Sequence, residues 1–276
     1  MPVITVSRQL GSLGTEIAQL LCKNFKCQCL DKKSLEEAFG EYGIPKESIE
    51  RFDEKKPGFW DLFKTDKARY LHFMKGAILD FASTGNGVIL GRGGQILLQG
   101  VAGVLHLRVI AHLDVRKERI MKRFECDDTQ AEHLLMHSDR ERMGFNKFFY
   151  GEDWENPNLY HIVLNTGTLS AETAVQLIQT AANSREFKET QEEASWKLGD
   201  LCLEHEIKTA IIYYEKILVQ FLEVHVERGM VTLRGIVDNP DDLNRCGNLT
   251  SQIPNVKEVN NQLYYSPITA AYGIHY

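Results

Sequence analysis

The residues Arg8-Gln9-Leu10-Gly11-Ser12-Leu13-Gly14-Thr15 lie between a β-branched run, PVITVS (2–7), and a helical pattern that continues as Glu16-Ile17-Ala18-Gln19-Leu20-Leu21. A glycine-bearing turn that joins a strand to a helix leaves backbone N–H groups without partners and aims the positive end of the helix at whatever lies above it. The ligand suited to that geometry is a phosphate. Set against G-x-x-x-x-G-K-[ST], Arg8 and Leu13 take the places of the two glycines. Gly14 takes that of the lysine, and Thr15 that of the magnesium-binding hydroxyl. The strict pattern is therefore not met, and an ordinary strand-to-helix turn is the competing reading.

Several cations are placed to assist such chemistry. Arg92 lies in the glycine-rich Gly91-Arg92-Gly93-Gly94, Arg116, Arg119 and Arg123 recur along one helical run, and Arg140 and Arg142 occur as D-R-E-R. Planar, permanently charged donors suit a transferring phosphoryl group, whose reaction depends mainly on positioning and charge neutralisation. The same spacings also suit salt bridges along exposed helix faces, such as Glu118 to Lys122. Asp31, which closes the CQCLD segment, sits where it could cap the helix that follows.

The elements that must position these residues alternate. Short apolar runs at 2–7, 27–31, 86–91, 103–111 and 159–166 read as strands. Helical patterns separate them: one from Thr15, material running to about 52, then 66–83, 114–124, 128–147 and 170–183; KKPGFWDLF (55–63) reads as a loop. Strands buried on both faces and joined by helices imply a parallel sheet in three layers, with ligands at the carboxyl ends of its strands. Apolar content collapses in SREFKETQEEAS, so a boundary is expected at 184–196, as a linker or the exposed start of a connecting helix. Beyond it, a helix at about 197–218, a hairpin around Glu227-Arg228-Gly229, a helix at 239–252 and a strand at 256–265 describe a second, small α+β domain spanning 197–276.

SRQLGSLGTEIA resembles the first loop of the cytidylate kinase-like family, S-R-[QE]-x-G-S-G-G-x-E-I-A, whose members lack the usual lysine. Leu13 stands where that family tends to have glycine. Further resemblances follow in order over about 1–183: VILGRGGQIL, LRVIAHLDVRKERIMKRF and the lid segment HSDRERMGFNKFFYGEDW. The resemblance implies a P-loop kinase-like fold using ATP and Mg2+. Gly11, Ser12, Leu13, Gly14 and Thr15 would grip the donor with Arg116 and Arg119, and Thr15 would hold the metal. Arg8 would replace the missing lysine's charge, Arg140 and Arg142 would close on the transferred group, and Asp31 and Arg92 would hold the acceptor. Cytidylate kinases tend to carry an aspartate after that arginine; here it is Gly93. RGMVTLRGIVDNPDDLNRCGNLTSQIPNVKEVNNQL resembles a BON domain, a module associated with phospholipid or partner binding, which here implies self-association, a protein partner or regulation of the kinase-like domain rather than a lipid role.

A formal charge of −6 argues against a general nucleic-acid surface. No apolar run approaches the roughly 20 residues needed to span a bilayer, and no signal-type segment opens the chain, so a cytoplasmic location is expected. The six cysteines lack C-x-x-C pairs and read as packing thiols, although Cys27 and Cys29 would share a strand face. Two functions follow: a nucleoside monophosphate kinase, or a nucleotide sensor that has lost turnover and signals through its C-terminal domain. Calorimetry with ATP and a nucleoside monophosphate panel, followed by a transfer assay, separates them.

Overall fold

The computed structural model describes residues 2–41 and 64–267. The loop expected at 55–63 lies outside them, as does the end of the helical stretch expected to reach about 52. The chain divides into two compact units, Met1–Ala194 and Ser195–Tyr276.

In the first unit β1 (Val3–Arg8), β2 (Gln28–Leu30), β3 (Gly87–Leu90), β4 (Val104–Ile110) and β5 (Ile162–Asn165) form one sheet in the order β2-β3-β1-β4-β5. Every pairing is parallel, with Ser7 beside Arg108 and Arg8 beside Val109. Helices α1 (Gly14–Phe25), α2 (Lys32–Glu41), α3 (Lys64–Ser83), α4 (Gly94–Leu97), α5 (Leu113–Phe124), α6 (Asp128–Tyr150) and α7 (Ala171–Ala182) connect or follow the strands. The apolar runs become strands because both sheet faces are covered. Ile4, Val6, Leu105, Leu107 and Val109 pack with Ile17 and Leu21 of α1 and Val175 and Ile178 of α7. Each fully buried side chain of this size contributes about 1.5–3 kcal/mol. Because β1 is central, the chain leaves the middle of the sheet at Arg8, where open parallel sheets receive their ligands.

Two polar side chains of this sheet carry a pH dependence. His106 is buried and bonds Thr5 Oγ1 through Nδ1 at 2.8 Å, while its backbone N–H donates to His161 Nδ1 at 3.0 Å. The two rings stack at 4.8 Å. Burial first, and His161 second, push the His106 pKa from 6.5 down to about 4; burial lowers that of His161 as well. The unfolded chain therefore binds protons that the folded chain refuses between pH 6.5 and 4. Stability is fully present above pH 6.5 and is expected to fall by roughly 3 kcal/mol as pH drops through that window. Urea midpoints at pH 7.5 and 4.5 should show the loss, and His106→Gln should remove most of it. An unchanged pH slope in that variant would place the dependence elsewhere.

Most of residues 184–196 is helical: α8 (Arg185–Glu189) and, after a turn at Thr190, the first turns of α9 (Gln191–Thr209). In the second unit a wider π turn, Ala210–Tyr214, extends α9. The strands β6 (Val219–Glu227) and β7 (Met230–Val237) form the antiparallel hairpin, with Glu227 opposite Met230. α10 (Asp241–Ser251) follows, and β8 (Glu258–Tyr265) pairs parallel to β7. Alternate residues Val224, Val226, Val231, Leu233 and Leu263 build its core against Ile207, Ile211 and Cys246. No helix among the described residues is long and apolar enough to cross a membrane.

Candidate functional site

The turn after β1 is an amide nest. Gly11 and Leu13 both adopt left-handed backbone (φ 75 and 64), and Leu13 precedes α1 without a side-chain cap. Its carbonyls are held by fixed donors. Arg116 Nη1 donates to Leu10 O at 3.3 Å, Arg119 Nη1 to Gly11 O at 3.0 Å, and Thr166 Oγ1 to Ser12 O at 2.8 Å. The first helical bond runs from Ile17 N to Leu13 O, 2.9 Å. The amides of Leu13, Gly14, Thr15 and Glu16 therefore have no acceptor among the described residues. Unsatisfied donors at a helix start, converging on one point, bind anions.

Above these amides is a cavity of about 280 Å³ lined by the turn and by cations from three elements: Arg8, Arg119, Lys122, Arg123 and Arg142. Glu16 is the acidic residue of its wall, and it lies 3.4 Å from Arg123. Arg142, on α6, is half-buried, with Asp139 Oδ1 at 4.0 Å. Its Nη1 has no hydrogen-bond acceptor among the described residues. It also borders a larger, mostly apolar groove of about 910 Å³ between the end of α5 and α6, with Leu10, Phe124 and Leu134 in its walls.

Where the usual pattern has lysine, the structure gives a steric reason for glycine. A Cβ on Gly14 would lie 2.4 Å from Arg8 Cβ and 2.9 Å from its Cγ. The stem of Arg8 occupies that place, so a lysine at 14 and an arginine at 8 exclude one another. Leu13 packs its side chain against the sheet's core cluster, which leaves its backbone to the cavity.

The remaining sequence-predicted residues are sorted by the fold. Arg116 is buried and spends its guanidinium on Leu10 O and on Asp139 Oδ2 at 2.6 Å, so it braces the turn against α6. Arg119 also binds Thr166 O at 2.7 Å. Ser12 is buried, and its hydroxyl donates to Gln9 O at 2.8 Å. Arg140 is exposed and outside the cavity wall. Asp31 is exposed and accepts from Ser34 N at 3.0 Å, the geometry of a helix cap. Arg92 sits at the same sheet end, after β3, but does not line the cavity. It is buried, its backbone is left-handed (φ 57), and its carbonyl accepts from Tyr150 Oη at 2.7 Å.

One cluster was missed at the level of sequence. Arg108, in the middle of β4, is buried and donates to Trp154 O and to Glu155 Oε1 at 3.1 Å. Its guanidinium lies 4.4 Å from the Trp154 ring centre. Trp154 Nε1 donates to Ser7 Oγ at 2.6 Å, and Tyr160 Oη to Trp154 O at 2.8 Å. This network ties the segment after α6 to the sheet. An arginine inside the apolar run VLHLRVI was the available signal.

No group of three or more His, Cys, Asp or Glu side chains among the described residues is arranged to hold a metal ion. Magnesium in phosphoryl transfer is commonly carried by the substrate's phosphates with one or two protein groups. Thr15, half-exposed on the cavity wall, fits that minimal role.

Comparison with known proteins agrees with this architecture. Residues 200–267 match the BON domain and residues 3–168 the cytidylate kinase-like family. An uncharacterized protein from Eubacterium ventriosum superposes with a TM-score of 0.54 at 19% identity, over 67% of this chain and 100% of that one, a likeness of fold alone. Shikimate kinase from Acinetobacter baumannii matches at 14% identity and a TM-score of 0.37, over 66% of this chain and 92% of its own, too low to support an argument. A uronate isomerase from Corynebacterium glutamicum is 36% identical over 101 residues, which is 37% of this chain and 19% of that protein. With more than half its length matched, and the matched part built as a parallel sheet flanked by helices, the chain belongs to the cytidylate kinase-like family and carries a BON domain after it.

Proposed function

We propose that the first unit transfers a phosphoryl group from ATP to a nucleoside monophosphate. The observation that carries this reading is the set of acceptor-free amides, Leu13 to Glu16, beneath a cavity walled by Arg8 and Arg142. The amides and Arg8 hold the donor's phosphates. Arg142 approaches from α6 to neutralise charge on the group in flight, and Arg92, at the same sheet end, receives the acceptor's phosphate. Magnesium bound with the nucleotide supplies further charge neutralisation at the phosphate oxygens, with Thr15 the side chain that would hold it. Arg116, Arg119 and Thr166 act one step back: by holding the turn's carbonyls they fix the direction of its amides. Self-association or a protein partner is the corresponding role proposed for the BON domain, and a cytoplasmic location accords with the kinase reading.

A second reading, a nucleotide sensor without turnover, is favoured by one feature. The ring of Tyr150 fills the space beside Gly93, where cytidylate kinases tend to carry an acceptor-binding aspartate. Calorimetry with ATP, magnesium and a nucleoside monophosphate panel, followed by a transfer assay on each binder, separates the two. Product formation supports the kinase; binding of ATP without product supports the sensor; no binding of either ligand removes both. Arg8→Ala is expected to weaken ATP binding by about tenfold, as loss of one charge-assisted contact would. Unchanged affinity would take Arg8 out of the site.

A further inference from the structure

Two carboxamides are buried between the Arg92 loop and α6, and neither lines the anion cavity. Gln95 is 2% exposed and Asn146 5%. Gln95 Nε2 donates to Asn146 Oδ1 at 3.3 Å, and Asn146 Nδ2 donates to the carbonyl of Arg142, one turn back on its own helix, at 2.8 Å. The two bonds fix the orientation of the asparagine. Turned over, its oxygen would face a carbonyl and its amide nitrogen another donor. Gln95 itself belongs to a fixed platform. Gly94, the residue before it, lies so close to the sheet that a Cβ would meet Ile89 Cγ2 at 3.0 Å, and its N–H donates to Gly91 O at 3.1 Å.

Arg142 needs such a tie. Its ion-pair partner Asp139, at 4.0 Å, stands on the same helix, so that contact does not place it relative to the sheet. What locates α6 lies on either side of it. Before Arg142, Arg116 Nη1 of α5 donates to Asp139 Oδ2 at 2.6 Å. After it, Asn146 meets Gln95, and one turn further on Tyr150 Oη donates to Arg92 O at 2.7 Å. Arg142, Asn146 and Tyr150 follow one i+4 ridge of the helix. Apolar side chains would fill the space at 95 and 146 at lower cost, since a buried amide is unfavourable without a partner. Apolar contact has no direction, however, whereas a hydrogen-bonded amide pair accepts one alignment.

We propose, resting on the kinase reading, that Gln95 and Asn146 are positioning residues for Arg142. The pair sets the register of α6 against the loop that carries Arg92. The cation that meets the group in flight and the one that receives the acceptor's phosphate are thereby held in fixed relation. Neither amide touches a substrate; both act through the backbone of α6. A misplacement of about 1 Å at such a group slows transfer by about 10²-fold.

The test replaces both amides at once, Gln95→Leu with Asn146→Leu. Removing the two partners together leaves neither of them buried and unpaired, so this variant is expected to keep a urea midpoint near that of the wild type. Its kcat should fall about 10–100-fold, while the acceptor's KM and the ATP affinity measured by calorimetry stay within a few-fold. In an Arg142→Ala background the same leucine pair should slow transfer by less than about twofold, because the group it positions is gone. A pair with a merely structural role would slow both backgrounds equally. Wild-type kcat in the leucine pair, a loss carried by KM or ATP affinity, or an equal loss in the Arg142→Ala background would each overturn the proposal. Should the leucine pair not fold, Gln95→Met, which keeps the side chain's length and removes the donor, is read by the same three measurements. A wild type that forms no product with any acceptor of the panel ends the kinase reading and this proposal with it. An active wild type with an unaffected leucine pair ends this proposal alone.

Discussion

Arg142→Ala is expected to lower the proposed phosphoryl-transfer rate by about 10²–10³-fold, while ATP affinity measured by calorimetry changes by no more than a few-fold. The expectation rests on where the fold puts this one arginine. It is half-buried at the wall shared by the anion cavity and the apolar groove, and its Nη1 has no acceptor among the described residues. A cation desolvated to that degree interacts with a nearby phosphoryl group more strongly than an exposed one. Two neighbours serve as controls. Arg140→Ala removes an exposed cation outside the cavity and should transfer at near the wild-type rate. Arg116→Ala should act through stability: it leaves Asp139, whose side chain is 17% exposed, without its 2.6 Å partner, and such losses cost about 3 kcal/mol. Wild-type turnover in Arg142→Ala would exclude it from the chemistry. If the wild type binds ATP without turnover, the sensor reading holds.

The second large effect concerns the residue after Arg92. Gly93→Asp, which restores the side chain that cytidylate kinases tend to have, is expected to destabilise the first unit by roughly 3–5 kcal/mol. A Cβ at this position would meet Tyr150 Cε2 at 2.1 Å and Cζ at 2.5 Å, far inside any contact distance, and Gly93 has φ +71. Overpacking of this kind costs about 1–3 kcal/mol, and a non-glycine residue in left-handed backbone adds about 1 more. Displacing the Tyr150 ring also sacrifices its bond to Arg92 O, a further ~1 kcal/mol. Tyr150→Ala alone should destabilise by less than Gly93→Asp does. In Gly93→Asp/Tyr150→Ala the two losses should add to well under their sum, a coupling of at least about 1.5 kcal/mol in urea denaturation. Strict additivity would mean that the ring is not what excludes the aspartate. The result bears on acceptor choice, because Tyr150 ends the helix that carries Arg142 and also fixes the carbonyl of Arg92.

Much of the architecture was legible in the residue order. Runs such as VITVS and VLHLRVI, too short and too apolar for surface helices, had to be strands covered on both faces. The glycine-bearing turn between the first strand and helix had to present amides. The hairpin at Glu227-Arg228-Gly229 followed from alternation, since a period of two survives any tertiary context that keeps one face buried. The helix carrying Arg142 extends to Tyr150, past the expected end near 147, because Phe145, Phe149 and Tyr150 pack as an aromatic cluster that sustains its last turn.

What the chain's order of residues determined was its local periodicity and the chemical types available: a phosphate-suited turn, a parallel sheet, a second small α+β unit and a supply of arginines. Which arginine does what was decided by tertiary structure alone. Arg116, Arg119, Arg140 and Arg142 look alike in sequence, yet Arg116 and Arg119 brace the turn's carbonyls, Arg119 also lining the cavity, while Arg140 faces solvent and Arg142 borders the cavity from a different helix. The mutual exclusion of Arg8 and a lysine at 14 and the Tyr150 ring against Gly93 were equally hidden. Each depends on the distance between atoms brought together by elements separated in sequence or by a turn, and residue spacing along one chain carries no information about such distances until the elements have packed.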